Sequence, residues 1–131
     1  MKHRYEARRG ARLHAAREAY VVAWRWRRAV ESELRPLGLT FSQWFVLDAT
    51  AQALHLEQDA VSQNQVAQNT ELDRQTISQV MHTLDQLGLV SRAPDHTGRA
   101  YRIFLTTKGE RTLQRANVLV ETVPAVPSKN D

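Results

Sequence analysis

The stretch from Asp73 to Gly88 constrains the fold more than any other part of this 131-residue chain. Ile77, Val80, Met81, Leu84 and Leu87 recur at the i, i+3, i+4, i+7 spacing of an amphipathic helix. Asp73 is a good cap for its start, because a carboxylate accepts from the free amides of a first helical turn. Gly88 follows the last apolar position, where a left-handed residue is usually needed. The opposite face carries Gln75, Ser78, Gln79, His82 and Gln86. Solvated helix faces are usually richer in Lys and Glu, whereas side chains that both donate and accept suit base edges in a major groove. The spacing therefore predicts a DNA recognition helix over Asp73–Leu87.

Length and composition fit one globular domain, with 42% hydrophobic and 24% charged residues. The absence of cysteine removes disulfides, thiolate metal sites and thiol nucleophiles together. No apolar run approaches the ~20 residues that span a bilayer, and the basic start is not followed by a signal-type apolar core. A cytoplasmic protein without membrane contact is expected. Charge is unevenly spread. Residues 1–35 carry ten Lys/Arg against four Asp/Glu, residues 36–91 only Arg74 against six acids, and residues 92–131 seven against four. A basic balance favours nucleic acid through counterion release, although the acidic middle argues against a purely electrostatic binder.

In chain order, residues 1–9 are expected to form a flexible basic N-terminus and residues 10–122 a single domain. A long helix is predicted from about Gly10 to Arg35, ended by Pro36 and Gly38. Leu13, Ala16, Tyr20, Ala23, Trp24, Val30 and Leu34 give it one apolar strip, and Val21, Val22, Trp26 and Ala29 a second. A helix apolar on two faces must bury both, which points to a partner chain or an enclosing core. Thr40 and Gln43 form a capping box for a helix to about Leu54 with Trp44, Leu47, Ala51 and Leu54 inward. Glu57–Asp59 reads as a loop, Ala60–Val61 as a very short strand, and Ser62 with Gln65 as a second capping box before a short helix. Asn69–Glu71 is the turn leading to Asp73, so the two helices form a helix-turn-helix.

Past Gly88 the apolar period changes from helical to alternating. Leu89–Ala93 and Tyr101–Leu105 are predicted strands joined by a Pro94–Arg99 tip, with Ile103 and Leu105 inward and Arg102 and Phe104 outward. Thr106 or Thr107 caps a last helix to about Glu121, with Thr107–Glu110 as a candidate capping box. Pro124 and Pro127 then break helical potential, and residues 123–131 are expected to be a disordered tail. The fold class is mainly α with a small β-hairpin wing, a winged helix-turn-helix over residues 40–105 flanked by dimerisation helices over 10–35 and 106–122.

This order resembles the MarR family of bacterial transcriptional regulators. Pro36-Leu-Gly-Leu-Thr40 leading to Gln43-Trp44 and Val46-Leu47 carries part of the resemblance. Leu84-Asp-Gln-Leu-Gly-Leu-Val-Ser-Arg92 is similar to the family's end of recognition helix and first wing strand, and Arg99-Ala100 with Leu105-Thr-Thr-Lys-Gly109 to its wing exit and next cap. The resemblance covers roughly residues 10–120. It implies a homodimer on pseudo-palindromic double-stranded DNA, often a repressor released by a small-molecule effector; from the residues themselves, no cofactor or metal is expected. By position, Arg74, Gln75, Thr76, Ser78, Gln79 and His82 fall where the family meets bases and phosphates, and Arg99 matches its minor-groove wing arginine. The residues agree: Gln75 and Gln79 can each grip an adenine edge, Arg99 suits a narrow A·T groove, and Arg92 and Arg102 are candidate phosphate clamps. Two departures stand out. The family's acid two residues before the wing arginine is Thr97 here, leaving Asp95 as a substitute. The family's longer terminal dimerisation helix is interrupted here by the two prolines after Glu121.

Other residues keep two readings open. Tyr20, Trp24 and Trp44 are core aromatics or the lining of an effector pocket. His55, Glu57 and Asp59 read as a polar loop rather than a metal site, since nothing nearby completes the coordination. No Gly-rich phosphate loop, nucleophile elbow or metal spacing is present, so catalysis is not expected. Outside DNA reading, the alternative is a winged-helix protein-interaction module that pairs with another regulator.

Overall fold

The computed structural model describes residues 2–57 and 59–124. Helix α1 (Lys2–Leu34) runs through a 3-10 turn (Arg35–Leu37) into α2 (Phe41–Glu57), α3 (Gln63–Thr70), α4 (Arg74–Gln86), a hairpin of β1 (Val90–Pro94) and β2 (Tyr101–Leu105), and α5 (Thr107–Glu121). The architecture is mainly helical with a two-stranded antiparallel wing, as the sequence predicts. Helix α2 is the hub, packing against α1, α3, α4, α5 and β2. The core draws on every element: Val30, Leu34, Val46, Leu47, Val66, Ile77, Met81, Leu84 and Ile103 are fully buried.

Local chemistry sets the helix starts. The Thr40 hydroxyl accepts from the Gln43 amide at 3.2 Å while the Gln43 side chain accepts from the Thr40 amide at 3.0 Å. Ser62 and Gln65 repeat this reciprocal box at 3.2 and 2.8 Å. Each pair satisfies two amides that a helix start leaves open. The turn between α3 and α4 passes through Glu71 at φ 58°, the one non-glycine in the left-handed region among the described residues.

The structure moves several predicted boundaries. Helix α1 starts at Lys2 rather than near Gly10, so residues 2–9, expected to be flexible, are helical. Ala7, Arg8, Arg9, Ala11 and Arg12 are strong helix formers, and one exposed Gly10 costs only about 1 kcal/mol. Helix α2 runs three residues past Leu54. Ala60–Val61 forms no strand, but Val61 makes a single bridge to Ile103. Strand β1 starts at Val90, because Leu89 is consumed in closing α4. Thr106 caps α5 by accepting from the Gly109 amide at 2.9 Å, so the Thr107–Glu110 box does not form. Val123 and Pro124 follow α5, and the rest of the expected tail, residues 125–131, lies outside the described residues, as does Gln58 of the expected loop.

Only Val30 and Leu34 are buried along the whole of α1. Tyr20 is 70% exposed and Trp24 47%. Of the two expected apolar strips, the first is exposed as far as Trp24, whereas Val21, Val22 and Trp26 of the second are half-buried. Among the described residues no helix is long and apolar enough to cross a membrane.

Candidate nucleic-acid interface

Helix α4 is held at both ends. At its start the Asp73 carboxylate accepts from the Thr76 amide at 2.7 Å. That bond holds the Asp73 carboxyl below its ordinary value, because it favours the charged form. At its end Gly88, at φ 74°, lets Leu89 donate to the Leu84 carbonyl at 2.9 Å and Gly88 to that of Asp85 at 3.0 Å. This is a Schellman closure, and the accompanying contact comes from buried Leu84 and Leu89. Thr106 donates to the Gly88 carbonyl at 2.6 Å and Lys108 to that of Leu87 at 2.8 Å. The start of α5 therefore clamps the end of α4, with a cation against the negative end of the helix dipole.

With Ile77, Met81 and Leu84 fully buried on one side, the other side of α4 is fixed outward. Arg74, Gln75, Ser78, Gln79 and His82 are exposed and Thr76 is half-buried. They form one face, because residues three and four apart are neighbours on a helix. Four further residues carry the chemistry of the wing tip and second strand. Arg99 and Arg102 are exposed. The Asp95 carboxylate accepts from the Thr97 amide at 2.9 Å and from its hydroxyl, and the Thr97 oxygen accepts from the Arg99 amide at 3.2 Å. The Thr97 hydroxyl holds the Asp95 carboxyl below its usual range. The missing acid at position 97 is thus replaced by a relay in which Asp95 stiffens the tip through Thr97 and the backbone of Arg99.

Arg92, expected as a phosphate clamp, has partners within the chain. Its Nε donates to Asp85 Oδ2 at 3.1 Å, its Nη2 lies 3.3 Å from His82 Nδ1, and its guanidinium sits 4.9 Å over the Tyr101 ring. Only 16% of the Arg92 side chain is exposed. Arg92 ties the recognition helix to both wing strands, and Asp85 and Tyr101 are the partners that sequence reasoning missed. A signal existed for Asp85: a carboxylate in a last helical turn opposes the dipole unless a cation answers it.

The three aromatics read as a candidate pocket are not brought together. Tyr20 and Trp24 stack on each other with centroids 6.5 Å apart, on exposed α1. Trp44 instead meets Trp26, Phe41 and Phe45, and its Nε1 donates to Asn117 Oδ1 at 2.8 Å. A cleft of about 500 Å³ does exist there, lined by Trp26, Trp44, Asp48, Asn117, Val120, Glu121, Val123 and Pro124. Trp26 takes the place expected of Tyr20 and Trp24, because it lies on the side of α1 that turns toward α2. Its buried Nε1 has no partner among the described residues.

The fold recurs in known proteins, and residues 37–100 match the model of the MarR family. Residues 37–100 form a MarR-family winged helix. The chain is similar to a MarR family transcriptional regulator from a Rhodococcus species, at 28% identity and TM-score 0.67 over 82% of this chain and 70% of that one. A Mycobacterium tuberculosis MarR family protein, solved in complex with p-aminosalicylic acid, is 25% identical at TM-score 0.61, with 82% and 78% covered. A mutant E. coli MarR solved with operator DNA shares the fold at 23% identity and TM-score 0.71, over 80% of this chain and 72% of that one.

Proposed function

We propose that this protein is a sequence-specific regulator of transcription that reads a pseudo-palindromic operator in double-stranded DNA as a homodimer and acts as a repressor. The observation that carries the proposal is the outward face of α4. It is polar without being highly charged, capped at its start, locked at its end and backed by three fully buried side chains. Such a face has what base readout requires: donors and acceptors on a rigid element. Gln75, Ser78, Gln79 and His82 are assigned to base edges and Arg74 and Thr76 to the phosphates beside them. Arg99 is assigned to the minor groove and Arg102 to the backbone. The operator complex of the E. coli relative supports the choice of duplex DNA.

The exposed aromatic length of α1 supports a second copy as partner. A small-molecule effector is assigned to the cleft lined by Trp26, Trp44 and Asn117; the p-aminosalicylic acid complex of the mycobacterial relative supports an effector of modest size.

Selection of random duplexes by the purified protein near physiological salt tests the central reading. An inverted repeat with half-sites about one helical turn apart is expected. Affinity should fall as salt rises, with a logarithmic slope of about −0.9 per phosphate neutralised. A folded protein that enriches nothing and holds no DNA at low salt would instead be a protein-pairing module.

A further inference from the structure

His82 stands in the middle of the proposed reading face, yet one of its ring nitrogens is already committed. Arg92 Nη2 lies 3.3 Å from His82 Nδ1. A guanidinium carries five N–H donors, accepts nothing and does not deprotonate in proteins. The hydrogen bond can exist only if Nδ1 offers its lone pair, so the neutral ring must carry its proton on Nε2. Two further contacts hold Arg92 beside the ring: Asp85 accepts from its Nε at 3.1 Å, and the Tyr101 ring lies beneath its guanidinium at 4.9 Å.

We infer that Arg92 is a positioning residue that fixes His82 as the Nε2–H tautomer and so makes it a one-way donor on the recognition face. The inference rests on the DNA-reading proposal and sharpens it. A histidine free to exchange tautomers can meet either kind of base edge. With Nδ1 occupied from the wing side, His82 presents only Nε2–H outward. It pairs with major-groove acceptors, guanine N7 and O6, adenine N7 or thymine O4, and rejects the amino group of cytosine. Gln75 and Gln79, by contrast, keep both a donor and an acceptor. The division of labour follows from one arginine that touches no base.

The test has two arms. Long-range nitrogen–proton correlation spectra of the DNA-free protein report the tautomer directly. A single Nε2–H form is expected in the wild type, giving way to a mixture in Arg92→Ala. A mixed or Nδ1–H ring in the wild type overturns the inference. In the second arm, random-duplex selection compares the wild type with His82→Gln, an exposed change that spares the core. The wild type should prefer acceptor-bearing bases about fivefold or more at one position per half-site. His82→Gln should lose that preference while leaving the positions read by Gln79 intact, and unchanged selectivity would also overturn the inference. A pure tautomer with no enriched sequence means that DNA reading itself has failed. An enriched operator with a mixed tautomer means that only the Arg92–His82 step has.

Discussion

Gly109 should be the least replaceable glycine in the molecule. It lies in the first turn of α5, where its amide donates to the Thr106 cap. A Cβ built there would stand 1.9 Å from the Leu89 carbonyl oxygen and 2.8 Å from its carbon. Contacts below 3.0 Å are not tolerated, so α5 and the α4–wing junction would have to part by about 1.1 Å. The obstacle is backbone, and no rotamer change relieves it. Leu89 accepts from the Thr106 amide at 3.2 Å through the same oxygen, so separation also strains that bond. Overpacking costs about 1–3 kcal/mol and a weakened buried hydrogen bond about 1 kcal/mol more. Gly109→Ala should therefore lose roughly 3 kcal/mol, or about 10 °C in Tm for a chain of this size. Gly10 supplies the internal control, since nothing lies within 4 Å of its added Cβ. Gly10→Ala should be neutral or stabilising by up to about 1 kcal/mol. Thermal melts of both variants at one protein concentration decide the matter. A Gly109→Ala melt within about 2 °C of wild type would refute the reading of this junction as a rigid clamp.

Arg99→Ala should weaken binding most at A·T-flanked sites, and fluorescence anisotropy that finds equal affinity there would remove the wing from the mechanism. Thr97→Val breaks the Asp95–Thr97–Arg99 relay and should give part of the same loss with every charge kept; full affinity would show that the relay does not matter. Asp73 and Asp95 are both held below the ordinary carboxylate value, so their contribution is present above it and is lost as pH falls through the lowered values. Melts should weaken below about pH 4, and Asp73→Asn, which still accepts but does not titrate, should flatten part of that slope. Paired Tyr20→Glu and Trp24→Glu changes should shift light scattering from dimer toward monomer without unfolding the core, because neither side chain is buried in this chain.

The recognition helix was legible because its signals are local. Asp73, the buried spacing of Ile77, Met81 and Leu84, and Gly88 each act within one or two turns, and each has the predicted role in the structure. Both capping boxes at Thr40 and Ser62 were legible for the same reason. What the sequence hid was long-range. The sequence marks Arg92 as a candidate phosphate clamp but not its partners, because Asp85 lies seven positions away across a turn and Tyr101 on the other strand. Helical spacing does not separate Trp44 from Tyr20 and Trp24, because its indole partner Asn117 is 73 positions away. The start of α1 is not legible, because a basic, polar stretch carries no burial pattern with which to tell a helix from a coil.

Helix α1 is about 50 Å long by its residue count, yet its own chain buries only its final turns. A free helix of this kind is marginal in water, since propensity alone barely repays nucleation. Its order must come from a neighbour, and the proposed second copy brings one. Folding of the N-terminal quarter then becomes a second-order event, driven by protein concentration as much as by temperature. Far-ultraviolet helicity should fall on dilution before the winged core melts. In a cell, the abundance of such a regulator would itself set how much of it exists in a form able to span two half-sites.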